Sequence, residues 1–266
     1  MYEFNYHRPE DLEEAQAIFD AAEEGKYLSG GQTLLPTLKQ RLASPTDLID
    51  LSGIDHLYGM ERRQDALSIG AMTRHAEVAA STDVKASIPA LAHLAGLIGD
   101  AQVRNRGTLG GSIANSDPSA DYPAAVIALD ATLYTPKRSI PADEYFQDLF
   151  ETTLDEDEIL TRIDFQCPRR AAYAKYPNPA SRYAVVGVMV AQFDSGIHVG
   201  VTGAGACAFR SRSLEDALNA DLNPAALDAV TVDHGEFNAD LHASAEYRGH
   251  LVKVMTQRAV ASLLKQ

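Results

Sequence analysis

Apolar positions recur at helical spacing early in the chain. Leu12, Ala15, Ile18, Phe19 and Ala22 share one face, Pro9 suits a first turn, and Gly25 stops the run. A short buried strand is expected over residues 26–29, broken at Gly30-Gly31, then a helix over 33–42 whose start Pro36 constrains, then a strand over 47–51. Such alternation within about fifty residues reads as a small α/β unit. Further on, residues 67–70 read as a strand, 72–80 as a short helix, 86–98 as a stronger one, and 124–131 as apolar packing. Between them, residues 104–121 lack periodicity and are rich in Gly, Ser, Asn and Asp. A loop of that length in a compact chain is usually functional or disordered; interspersed Leu109 and Ile113 favour an ordered functional one.

Pro168, Pro177 and Pro179 punctuate residues 167–179, where a domain boundary is expected. Beyond it, residues 183–193 and 197–201 read as strands joined by a hairpin at Asp194-Ser195-Gly196, and 214–220 and 247–264 as helices. The pattern divides the chain into 1–55, 56–170 and 171–266.

Composition narrows the function classes. With 266 residues, 45% of them hydrophobic, the chain can bury a sizeable core. Its net charge of −14 argues against nucleic acid and against an anionic membrane surface. No apolar run nears the roughly 20 residues of a membrane span, and Met1-Tyr2-Glu3-Phe4 does not begin a signal peptide. Cys167 and Cys207 stand alone, without CxxC spacing, so a reduced cytoplasmic protein is expected. Two cysteines also fall short of the four that an iron–sulfur cluster takes. Any redox chemistry must therefore come from an organic cofactor or a partner.

Two glycine loops carry the candidate chemistry: Ser29-Gly30-Gly31-Gln32-Thr33, and Gly107-Thr108-Leu109-Gly110-Gly111-Ser112 running into Asp117 and Asp121. Paired glycines let backbone approach a ligand closely, and successive N–H groups form an anion-binding concavity; a helix N-terminus would add partial positive charge for a diphosphate. Each loop alone is equally well a tight turn. Neither ends in GK[ST], which excludes a P-loop. A third cluster, Gly203-Ala204-Gly205-Ala206-Cys207-Ala208, fits G-x-G-x-x-A, but Phe209-Arg210-Ser211-Arg212-Ser213 breaks the helix such a site requires, so a strand bend or close-packed sheet is expected. His75 and His93 lack metal-ligand spacing and read as structural. No nucleophile–base pair or HExxH is present.

The combination of motifs resembles the FAD-binding medium subunit of molybdenum hydroxylases, the family of carbon monoxide dehydrogenase medium subunits and xanthine dehydrogenase flavin domains. Its A-G-G-[HQ]-S-L-L-P, T-[IL]-G-G-N and A-D-P-x-x-D segments are matched by Ser29-Gly30-Gly31-Gln32-Thr33-Leu34-Leu35-Pro36, by Thr108-Leu109-Gly110-Gly111-Ser112 and by Ser116-Asp117-Pro118-Ser119-Ala120-Asp121. Residues 41–43, 69–73 and 244–248 add to the likeness, which covers nearly the whole chain and leans towards the carbon monoxide dehydrogenase type. Ser29, Thr33 and Ser112 depart from the usual Ala, Ser and Asn, each keeping a small or hydroxyl-bearing side chain.

The resemblance implies an α+β fold: two FAD-binding subdomains of the PCMH type and a C-terminal antiparallel sheet with helices. It places the FAD diphosphate on the two glycine loops. The implied cofactor site comprises Ser29, Gly30, Gly31, Gln32, Thr33, Leu34, Val103, Thr108, Leu109, Gly110, Gly111, Ser112, Asp117, Asp121, Lys175 and Tyr183, with no catalytic residue and no metal ligand on this chain. Asp121 would hold a hydroxyl or amine of the adenosine or ribityl part. Tyr183 would stack on the flavin or be a core strand residue, and Lys175 would place positive charge near the flavin or be a solvated surface lysine. The implied function is electron transfer from a small subunit with [2Fe-2S] clusters, through FAD, to an external acceptor, while a large molybdenum-cofactor subunit oxidises the substrate. A dimer of heterotrimers would be the assembly. A non-catalytic nucleotide-binding or assembly module would stay colourless with FAD; a free-standing flavin oxidase would reduce its flavin without partners.

Overall fold

The computed structural model describes residues 1–266. Its first unit is a parallel three-stranded sheet in the order β1-β3-β2, with β1 (Asn5–His7), β2 (Gly25–Leu28) and β3 (Asp47–Asp50). Helix α1 (Leu12–Ala21) connects β1 to β2 and α2 (Leu34–Lys39) connects β2 to β3. Asp11 caps α1 by accepting from the Glu14 amide at 2.8 Å, with Glu13 and Glu14 in the positive first turn. Pro9 thus lies ahead of the cap rather than in the first turn. Strand β1, three residues with little burial, gave no periodic signal.

The second unit is an antiparallel five-stranded sheet, β4 (Met60–Arg62), β5 (Ala66–Gly70), β10 (Arg162–Gln166), β6 (Thr132–Tyr134) and β7 (Ser139–Pro141) in that spatial order. It packs with helices α3 (His75–Ala80), α4 (Thr82–Ser87), α5 (Pro89–Gly96), α7 (Leu109–Asn115) and α8 (Tyr122–Ala128), which share one large apolar core; α6 (Ala101–Arg104) buries no residue. The helix expected over 86–98 is two helices. Pro89 forces Ile88 out of the helical region (φ −140°, ψ 76°) and then opens α5. The expected loop over 104–121 contains α7, whose period the glycines hide. Thr108 caps it by accepting from the Gly111 amide at 3.1 Å, and Ser116, at φ +46°, ends it. A two-stranded hairpin, β8 (Phe146–Asp148) and β9 (Glu151–Thr152), completes this unit.

The third unit is an antiparallel sheet, β11 (Arg170–Pro177), β12 (Ala184–Phe193), β13 (Gly196–Thr202) and β14 (Phe209–Arg210), with α9 (Arg212–Ala220) and α10 (Ala245–Leu263). Within the expected boundary region of 167–179, β11 runs for eight residues on the edge of the sheet, a place where proline costs no ladder bond. Along β12, Met189 and Ala191 join the core of the second unit, while Val186, Val188 and Val190 join a core under α10. A strand buried on both faces reads as a continuous apolar run. The Gly203 cluster is a bend: Gly203 has φ +86°, and a Cβ there would lie 2.5 Å from the Val185 carbonyl oxygen.

Candidate functional site

The two glycine loops meet face to face. At Gly30 a Cβ would fall 2.4 Å from the Arg106 carbonyl oxygen and 2.6 Å from the Gly107 Cα, so only glycine lets the backbones close. Beside this contact the Ser29 and Thr108 hydroxyls share a hydrogen bond of 2.6 Å. Their backbones then differ. No protein group accepts from the amides of Gly30, Gly31, Gln32, Thr33 and Leu34, and unpaired N–H groups in succession invite an anion. In the second loop Leu109 donates to Thr73 O (2.9 Å), Gly110 to Ala71 O (2.8 Å), Gly111 to Thr108 Oγ1 (3.1 Å) and Ser112 to Thr108 O (3.1 Å). The amides of residues 109–112 are thus spent on residues 71–73, ahead of α3, and on Thr108, so the free amides are those of the first loop.

The loops border a cleft of about 580 Å³ whose walls come from all three units. Every residue of the implied site lines it except Leu109 and Lys175. Leu109 is fully buried in the core of the second unit. Lys175 is no surface lysine: its side chain is 3% exposed, and its Nζ donates to both Asp121 oxygens at 2.9 Å and to Leu97 O at 3.1 Å. Tyr183 is no core residue, since it precedes β12 and is 44% exposed. Residues that the motifs did not mark also line the cleft, among them Lys26, His75, Ile98, Glu158, Leu160 and Arg182. His75 opens on it as well as packing in the core. Nothing read from the sequence set residues 158–160 apart.

Electrostatics divide the cleft. Asp121 is buried; burial pushes its carboxyl up, against the pull of Lys175 and of the Tyr173 hydroxyl, which donates to it at 2.6 Å. Both carboxylate oxygens are thus already engaged by the protein. Burial likewise raises Asp117, whose one protein partner is the Ser119 amide at 2.8 Å. Glu158 is held down at about 2, first by its hydrogen bonds from Arg138 and then by Thr135 and the Asp155 amide. Arg182, in the left-handed region at φ +63°, donates to Gly99 O at 3.1 Å across the mouth.

Residues 2–166 match the family described as the FAD binding domain in molybdopterin dehydrogenase. The chain is 35% identical to the carbon monoxide dehydrogenase medium chain of Hydrogenophaga pseudoflava, covering 97% of this chain and 96% of that one. It is 32% identical to the glyceraldehyde dehydrogenase medium chain of Sulfolobus acidocaldarius, covering 97% of each. A solved carbon monoxide dehydrogenase from H. pseudoflava, which lacks the Mo-pyranopterin moiety of the molybdenum cofactor, superposes with a TM-score of 0.91 at 34% identity, over 99% of this chain and 98% of that one. The α+β fold is thus shared with these relatives, and no helix is long and apolar enough to cross a membrane. The chain belongs to the FAD-binding subunit family of the molybdenum hydroxylases, and is an oxidoreductase flavoprotein component.

Proposed function

We propose that this chain is the electron-transfer subunit of a molybdenum hydroxylase complex. The observation that carries this reading is the interlocked pair of glycine loops, with the free amides of residues 30–34 facing a cleft of about 580 Å³. That size lies within the range of small-ligand and cofactor sites, and a protein of net charge −14 can hold a diphosphate only by such local donors. The cleft's residues fit FAD. Amides of the first loop would hold the diphosphate, the Ser29–Thr108 hydroxyl pair would fix its place, and Ile98, Leu160 and Tyr183 would wall the ring system. Asp121, tied to Lys175 and Tyr173, presents a fixed acceptor at the cleft wall for a hydroxyl or amine. FAD, when bound, supplies the capacity to collect single electrons and release them as a pair.

The rest of the complex is the assembly that the family resemblance implies, and the cysteine count agrees with it. Two cysteines, both free, are too few for a cluster, so a small iron–sulfur subunit delivers the electrons. A large molybdenum-cofactor subunit oxidises the substrate, the assembly is a dimer of heterotrimers in the cytoplasm, and an external acceptor drains the flavin. Affinity purification of the tagged chain from its native host tests this. The expected result is a yellow complex containing both partner subunits, bleached by its substrate. A colourless chain that stays colourless with FAD and both partners would overturn it, as would flavin reduced by a small molecule on the chain alone.

A further inference from the structure

We infer that His75 is a cofactor-positioning residue whose imidazole donates from Nε2 to an oxygen of the FAD diphosphate. The inference rests on FAD occupying the cleft. His75 is only 5% exposed, yet it lines the cleft, and no protein group bonds either ring nitrogen: Nδ1 is sealed and unpartnered, and Nε2 lies against Gly107 without a hydrogen-bond partner. Leaving such a group unpaired costs about 1–3 kcal/mol, which points to a partner supplied from outside the chain.

The surroundings show where that partner lies. A Cβ at Gly107 would sit 2.6 Å from His75 Nε2, so the imidazole occupies the space of the side chain this glycine lacks. The two residues are pinned by a bond of 3.0 Å from the His75 amide to Gly107 O. Gly107 Cα in turn abuts Gly30, where the run of free amides begins. Nε2 therefore stands beside Gly107, next to the loop that carries the free amides. On its other side the ring faces Tyr122, at 5.4 Å between centroids, whose hydroxyl is also sealed and unpartnered. Burial, then the charge of Arg104, keep the imidazole neutral down to about pH 4. Asp117 and Asp121 are the carboxylates of the loop lining the same cleft. A neutral imidazole carries one N–H and one lone pair, and a diphosphate beside it favours the N–H on Nε2 and raises the pKa.

The test uses the full chain with isotopically labelled histidine; comparison with His75→Gln assigns the resonance among eight histidines. Titrations from pH 4.5 to 8 are run without ligand, with FAD, with ADP and with adenosine. The expected result is a His75 that stays neutral without ligand, and whose pKa rises by about one unit or more with FAD or ADP but not with adenosine. FAD affinity should fall roughly tenfold in His75→Ala and recover in His75→Gln, which keeps a donor. Bound FAD with an unmoved His75 resonance, or equal movement with adenosine, overturns the inference alone. Full FAD affinity in Gly30→Ala, or no binding of FAD and ADP, overturns the cleft as well.

Discussion

Two kinds of residue at the loop junction behave in opposite ways on substitution. Gly30→Ala drives a methyl group into backbone on the second loop, where nothing can rotate aside. Parting the loops costs about 1–3 kcal/mol, so FAD affinity measured by flavin fluorescence should fall roughly ten- to a hundredfold. Gly96→Ala meets no atom within 4 Å at the end of α5 and should leave affinity unchanged, with a stability gain of up to about 1 kcal/mol. His75 gives a pH signature. Its folded pKa of about 4 lies below the ordinary 6.5, so the unfolded chain binds the proton first and stability falls as pH drops below 6.5. At pH 5 the loss from this residue reaches about 2 kcal/mol, and denaturant titrations of His75→Gln should show a correspondingly shallower acid slope. The glycines were legible because their neighbours in sequence form the motif. His75 was not, because its site is made by Gly107, thirty-two residues away.

Elements were legible where one face is buried and invisible where chemistry or tertiary contact sets them. The long apolar run of β12 announces a strand, while that of α8 marks apolar packing but not a helix; α7 hides behind glycines placed for loop contact, and β11 behind prolines that an edge strand tolerates. Helix α10 shows the same limit, since its sequence marks an amphipathic helix but not the role of Arg248. This side chain is buried, donating from Nη1 to Val185 O and Gly203 O at 2.6 Å each and from Nη2 to Asp240 at 2.7 Å. It thereby fixes the bend after β13. The next link carries that bend to the cleft: Gly203 N donates to Pro118 O at 2.7 Å, and Thr202 Oγ1 donates to Pro118 O and Ala120 O. Arg248→Met strands the two carbonyls and should cost about 1–3 kcal/mol, read as a lower urea midpoint at an unchanged m value. Arg248→Lys, reaching fewer of the three acceptors, should recover part of it.

At the scale of the molecule the division of labour decides what the chain does alone. Its three units surround one cleft, whose lining offers amides, hydroxyls and apolar walls; of its acidic groups Asp121 is committed to Lys175 and Glu158 to Arg138, and Asp117 accepts from the Ser119 amide alone. On the proposed reading His75 is engaged by the diphosphate, Asp117 keeps one protein partner, the Ser119 amide, and oxidation of the substrate falls to a metal-bound oxidant on the molybdenum subunit. The chain reconstituted with FAD should therefore bleach with dithionite and recolour with an added acceptor. It should not bleach with carbon monoxide, an aldehyde or an N-heterocycle. Adding the iron–sulfur subunit alone should leave that unchanged, and adding the molybdenum subunit as well should restore substrate-dependent bleaching, followed at the flavin absorbance. The order of addition separates the roles: bleaching before the molybdenum subunit is present would move substrate oxidation onto this cleft, and bleaching with the molybdenum subunit but without the iron–sulfur subunit would remove the cluster relay from the electron path.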